Sequence, residues 1–187
     1  MHPKGRFSRI ELSMTALAES AADDILGRAR DGDHDAFAAL IEEFQSTVYG
    51  IAFHFFADRA IAEELAQDVF LQLYRSLSAI QSRTHLAHWL RQVASRKCID
   101  AVRKRAPRRE SLDDVELSVP PNTPDPFLTR RLQKRVAKLP DLQRLILTLR
   151  YQEDLGPSEI GRTLGMPENT VKSYLHRALT ALRKEFA

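Results

Sequence analysis

The chain has 187 residues, of which 43% are hydrophobic and 28% charged, and a net charge of +3. That profile fits a soluble globular protein of one domain or two small ones, and with no apolar run near the roughly 20 residues of a bilayer span it excludes an integral membrane protein. A single cysteine, Cys98, excludes an internal disulfide and a cysteine-cluster zinc site.

The N-terminus carries Lys4, Arg6 and Arg9, but Glu11 and Glu19 interrupt the next stretch, so it lacks the apolar core of a secretory signal and the chain is expected in the cytoplasm. Residues 1–20 form an extension with no role assigned. A short helix is predicted near Asp23 to Arg30. Residues 36–56 then place Phe37, Leu40, Ile41, Phe44, Val48, Ile51, Ala52 and Phe55 at three- and four-residue spacing, with Asp33 or Asp35 as cap. A second long helix comes next, with Ile61, Leu65, Val69, Leu73 and Leu77 on one face, and a third from about His85 to Arg105 holds Trp89, Leu90, Val93 and Val102. These segments make a four-helix domain over residues 21–106.

Residues 107–127 change character. Five of the nine prolines fall between Pro107 and Pro126, no helical period survives, and the segment holds Asp113, Asp114, Glu116 and Asp125. It reads as an acidic linker whose span averages roughly 25 Å if flexible, enough to separate two binding sites. Residues 128–187 restart the period with Leu128, Leu132, Val136 and Leu139. Pro140 opens a helix with Leu142, Leu145, Ile146 and Leu149 inward. Ser158 to Leu164 is then a short helix, Gly165-Met166-Pro167 a turn, and Glu168 to Glu185 a longer helix with Val171, Leu175, Leu179 and Leu182 inward. This is the helix-turn-helix arrangement, whose second helix enters the DNA major groove. The fold class is all-α: two small helical domains joined by a proline-rich acidic linker, the second containing a helix-turn-helix.

Charge is segregated along the chain. Residues 1–87 sum to −5, residues 88–110 to +6 and residues 129–187 to +6. Two basic clusters flanking an acidic stretch point to two contacts with a polyanion. On the last helix, Asn169 and Thr170 occupy the first turn, where backbone N–H groups suit a phosphate, and Lys172, Ser173, His176 and Arg177 project away from the apolar stripe. An arginine there can grip a guanine edge, worth roughly 1–3 kcal/mol of discrimination. On the third helix, His88, Gln92, Arg96 and Arg103 fall near one line, just after the polar loop Gln81-Ser82-Arg83, an arrangement able to hold a separated strand and a flipped base. Trp89 reads first as a core residue and second as a stacking platform. On the second helix, Glu63, Glu64, Gln67 and Asp68 surround Leu71, which suits either a partner helix or a solvated face. His85 and His88 lack a third ligand at suitable spacing, so no metal site is assigned, and with no nucleotide loop, nucleophile elbow or paired carboxylates neither a cofactor nor an enzyme is expected.

Four ordered segments resemble the extracytoplasmic-function (ECF) subfamily of bacterial RNA polymerase sigma factors. They are Glu64-Leu65-Ala66-Gln67-Asp68-Val69-Phe70-Leu71, Trp89-Leu90-Arg91-Gln92-Val93-Ala94, Ile99-Asp100-Ala101-Val102-Arg103, and the run from Thr170 to Leu179. The resemblance spans about Asp23 to Phe186 and implies a division of labour. The face of Glu63, Glu64, Gln67, Asp68 and Leu71 would dock on the clamp helices of the polymerase largest subunit. Gln81, Ser82 and Arg83, with the helix carrying Trp89, Arg96, Lys97, Asp100, Arg103 and Lys104, would capture and open the −10 element. Asn169, Thr170, Lys172, Ser173, Tyr174, His176 and Arg177 would read the −35 element, on a domain that also sits on the polymerase flap. An anti-sigma partner would regulate the chain. Arg96 stands where the family often has asparagine, Asn169 where glycine is usual and Tyr174 where arginine is common, departures that bear on which promoter is read. The rival reading is a stand-alone helix-turn-helix regulator, since Glu159-Ile160 and Thr170-Val171-Lys172 also resemble the output domain of response-regulator-type activators.

Overall fold

A computed structural model describes residues 24–105 and 125–186, and every regular element among them is helical. The expected N-terminal extension and nearly all of the linker lie outside the described residues. Helix α1 covers residues 24–30, α2 His34–Phe56 and α3 Arg59–Ser76. A 3-10 turn at Leu77–Ala79 leads to α4, Arg83–Arg105, followed by α5 (Pro126–Ala137), α6 (Asp141–Tyr151), α7 (Pro157–Leu164) and α8 (Glu168–Phe186).

The helix starts obey capping chemistry. Asp33 is the cap of α2, its Oδ1 accepting from the backbone N–H groups of Asp35 and Ala36 at 2.9 and 3.0 Å. Asp58 does the same for α3 through Ile61 N–H at 3.0 Å, and Asp125 for α5 through Leu128 N–H at 2.9 Å. Each such cap contributes about 1 kcal/mol. Helix α5 therefore takes in Pro126 and Phe127, which the proline pattern assigns to the linker; a proline at the first helical position is preorganised for the helix rather than opposed to it.

In the N-terminal half, α2 buries Ala36, Leu40, Phe44, Val48, Ile51, Ala52 and Phe55, α3 buries Ala62, Leu65, Val69, Phe70 and Leu73, and α4 buries the i, i+4 ladder Leu86, Leu90, Ala94, Cys98 and Val102. Cys98 is the small packing residue that its helical setting implies. In the C-terminal half, six consecutive residues of α6, Arg144 to Leu149, are buried. A helix buried on successive residues is covered on more than one side. Helix α8 covers one side of α6, and α2 and α4 cover the other.

The two halves accordingly do not stand apart as the linker alone suggests. One apolar core runs from Leu40 and Phe55 through Leu90 and Cys98 to Leu145, Leu149, Ile160 and Val171. Across the seam, the Arg144 guanidinium lies over the Phe55 ring, 4.3 Å from its centroid, and Arg91 Nε donates to Glu153 Oε2 at 3.2 Å. The apolar sides of α6 and α7 find their cover on α2 and α4 rather than in water.

Candidate nucleic-acid and polymerase interfaces

The helix-turn-helix is set by its turn. Glu159 reaches back to accept from Gly156 N–H at 2.7 Å, fixing the start of α7, and Gly165 takes the left-handed conformation (φ 67°) that ends it. Gly161 allows the close approach of the two helices: a Cβ there would lie 2.7 Å from the Met166 carbonyl oxygen. Val171 and Ala178 of α8 point into the core with no exposure, which turns Asn169, Lys172, Ser173, His176 and Arg177 to solvent, while Thr170 and Tyr174 are half-buried. Lys172 pairs with Glu168 at 2.6 Å, Ser173 Oγ donates to the Asn169 carbonyl at 2.9 Å, and Arg177 lies 5.9 Å from the centre of the Tyr174 ring. Five of the seven expected residues, Asn169, Lys172, Ser173, His176 and Arg177, thus form an exposed polar, partly prearranged strip on a helix able to lie in a major groove about 12 Å wide, with Thr170 and Tyr174 at its inner margin.

On α4, Trp89, Gln92, Arg96, Asp100 and Arg103 occupy about 80° of arc at 3.6 residues per turn, on the side away from the Leu86–Val102 ladder. Arg96, Asp100, Arg103 and Lys104 are exposed, and Arg103 stands 3.9 Å from Asp100. Trp89 is half-buried and packs against the core. The preceding loop is tied down. Ser82 Oγ accepts from His85 N–H at 3.2 Å and so caps α4, Gln81 N–H donates to His85 Nδ1 at 3.2 Å, and Arg83 is hydrogen-bonded to Glu43 of α2. Burial pushes the Glu43 carboxyl up from its ordinary range, against the opposing pull of Arg83. Ser82 and Arg83 therefore build the loop, while Gln81 is exposed at its tip.

The α3 face divides in two. Glu63, Gln67 and Leu71 line a groove of about 940 Å³ between α2 and α3 whose floor and walls include Phe37, Ile41, Tyr49, Phe70 and Tyr74. Leu71 and Tyr74 are about half exposed, at 51% and 52%, and Tyr74 meets Phe37 edge-on with ring centres 5.2 Å apart. Glu64 and Asp68 lie outside that groove, and Asp68 turns toward α4, where Lys97 Nζ approaches its Oδ2 to 3.0 Å. The spacing of Leu71 shows an isolated leucine; its aromatic neighbours were missed, although Tyr74, three residues on, falls on the same side of the helix. Among the described residues no group of three His, Cys, Asp or Glu side chains gathers as a metal would require, and no helix is long and apolar enough to cross a membrane.

Residues 40–108 match the family described as sigma-70 region 2, and residues 129–182 match sigma-70, region 4. The chain is 27% identical over 175 residues to the ECF RNA polymerase sigma factor SigW of Bacillus subtilis, covering 84% of this chain and 92% of that protein. It is 30% identical over 177 residues to the ECF RNA polymerase sigma factor SigK of Mycolicibacterium vanbaalenii, covering 90% of each. With RpoE of Cereibacter sphaeroides, also an ECF RNA polymerase sigma factor, it shares 31% identity over 164 residues, covering 83% of this chain and 88% of that one. Among solved structures, CnrH in complex with the cytosolic domain of CnrY superposes with a TM-score of 0.67 at 20% identity, over 88% of this chain and 97% of that one, a likeness of fold.

Proposed function

Since the chain belongs to the ECF subfamily of sigma-70 factors, and so directs promoter-specific transcription initiation by RNA polymerase, we propose a division of labour between its two halves. The strip from Asn169 to Arg177 on α8 reads the −35 element. The outer face of α4, with Arg96, Lys97, Asp100, Arg103 and Lys104, and the Gln81 loop tip capture and open the −10 element. The α3 face of Glu63, Glu64, Gln67, Asp68 and Leu71 docks on the clamp helices of the largest polymerase subunit, with the aromatic groove beside Leu71 receiving an apolar ridge of the partner. The C-terminal domain also rests on the flap. The chain does no chemistry itself; it works in the cytoplasm and is held in check by an anti-sigma partner.

What supports this reading is that the polar side chains left outside the core by both halves are the ones the division requires: a cationic face on α4 and a second on α8, each opposite a buried ladder. A stand-alone helix-turn-helix regulator would leave residues 40–108, with their region 2 match, without a task. The test is transcription in vitro with core polymerase, with and without the chain, on a fragmented genomic library whose transcript ends are sequenced. New starts sharing two upstream elements are expected. DNA binding with no starts and no complex with core polymerase would return the reading to a regulator.

A further inference from the structure

We propose that Glu43 of α2 is a positioning residue that sets −10 specificity: it holds Arg83 back, so that the loop before α4 meets a base with Gln81 and not a phosphate with a free cation. The inference rests on the −10 role proposed above for that loop. The loop is short, running from the 3-10 turn at Leu77–Ala79 to Arg83 at the start of α4. Its own bonds are local. Ile80 is buried, and its N–H donates to the Leu77 carbonyl at 3.1 Å. Ser82 Oγ accepts from His85 N–H, the Ser82 carbonyl accepts from Leu86 N–H at 2.9 Å, and Gln81 N–H donates to His85 Nδ1. These bonds shape the loop on the end of its own helix. The bond from Arg83 to Glu43 joins residues 40 apart and sets the loop against a different helix.

Arg83 lies back across α2, its guanidinium carbon 5.9 Å from the centre of the buried Phe44 ring. The side chains of Arg83 and Glu43 are 38% and 29% exposed, wet enough for the pair to add little to stability. What the pair changes is the set of groups that the loop offers. Gln81 and Thr84 are exposed, whereas Arg83 is half-buried. A carboxamide both donates and accepts, as the edge of a base requires. A free guanidinium beside a strand would grip whichever phosphate came first, and phosphate contacts carry no sequence information. Glu43 satisfies the guanidinium in advance and takes it out of that competition. The nucleic-acid backbone already has its cations in Arg96, Arg103 and Lys104, all exposed along α4.

The experiment compares the full-length wild type with Glu43→Ala and with Glu43→Ala combined with Arg83→Ala. Amide hydrogen exchange in the free chain, without DNA or polymerase, reads the loop itself, and Gln81 N–H is expected to exchange at least about fivefold faster in Glu43→Ala. With core polymerase, transcription from promoters carrying each base at each −10 position reads specificity. Preference for the favoured base is expected to fall at least about fivefold in Glu43→Ala, with −35 preference and affinity for core polymerase within about twofold of wild type. The salt dependence of promoter binding by the same complex should steepen, its log–log slope by about 0.7–0.9 for the phosphate that Arg83 gains, and adding Arg83→Ala should remove the increase. Glu43→Gln, which keeps the side chain's size and drops its charge, should show the same changes at smaller size. Unchanged exchange at Gln81, a slope that does not steepen, or a −35 preference that falls as far as the −10 preference overturns the positioning role. Faster exchange with −10 preference intact would leave the loop held by Glu43 and remove the −10 reading, and with it the role in specificity.

Discussion

Lys97 on α4 and Asp68 on α3 form an ion pair, Nζ to Oδ2 at 3.0 Å, that ties the helix proposed to open DNA to the helix proposed to dock on the polymerase. Lys97 is the more enclosed partner, at 28% side-chain exposure against 61% for Asp68. A polymerase group that engages Asp68 would therefore loosen Lys97 at the same moment, and a phosphate that draws Lys97 away would leave the Asp68 carboxylate without this cationic partner. At this exposure the pair itself is worth only about 0.2–1 kcal/mol, small enough to exchange partners freely.

Asp68→Lys is expected to weaken binding to core polymerase at least about tenfold, by placing two ammonium groups side by side on a face proposed to meet the polymerase. Binding to promoter DNA should hold or rise slightly, because Lys97 is freed. Fluorescence titration against core polymerase and against duplex DNA reads both, and an unchanged polymerase affinity would remove Asp68 from the docking face.

Arg177→Ala removes an exposed side chain that reaches no closer than 5.9 Å to the centre of the Tyr174 ring, so stability should stay within about 0.5 kcal/mol of wild type. Promoter discrimination should fall by about 1–3 kcal/mol, the cost of a lost base contact, with polymerase affinity intact. Competition between the mapped promoter and a scrambled duplex measures it; equal loss on both sequences would make Arg177 a phosphate contact instead.

Binding of the full chain to duplex DNA should weaken steeply with salt, with a log–log slope of about −0.9 for every phosphate neutralised. Replacing Arg96 and Arg103 together by alanine should flatten that slope by about one to two units, since both stand exposed on α4. A salt-independent affinity would sink the electrostatic footprint.

Three glycines should respond differently to alanine. At Gly161 the added methyl meets the Met166 carbonyl at 2.7 Å, so the turn must shift, at about 1–3 kcal/mol and roughly 2–4 °C of Tm for each kcal/mol. DNA affinity should drop as well, because α8 is re-aimed. At Gly165 there is space but φ is +67°, and about 1 kcal/mol is lost to backbone strain. At Gly27, in α1, nothing lies within 4 Å and alanine should stabilise by about 0.4–1 kcal/mol. Thermal melts of the three variants rank them directly.

Much of this was legible in the residues. Asp33, one of the two candidate caps, is the one that caps α2, Gly165 ends α7 where the turn pattern places it, and Val171 and Ala178 fix which side of α8 faces inward. Periodicity says that a face is apolar; it does not say what covers it. For that reason Leu142, Leu145, Ile146 and Leu149 read as one buried stripe in sequence, whereas the whole run from Arg144 to Leu149 is buried in the fold. The Arg91–Glu153 bond joins residues 62 apart across a proline-rich segment, a separation no local pattern can bridge. The groove beside Leu71 escaped for a related reason: Phe37 and Tyr49 come from another helix, and only the crossing of α2 over α3 makes them its neighbours.

The common core from Phe55 to Ile160 also governs how the chain comes apart under heat. While α6 shares its apolar side with α2 and α4, neither half can melt without stripping the other, so a calorimetric scan of the chain alone should show a single cooperative peak. Once the halves separate, each must stand on its own smaller interior, and two weaker transitions should replace the one. A substitution that breaks the shared core should therefore lower the melting temperature and split the single peak into two.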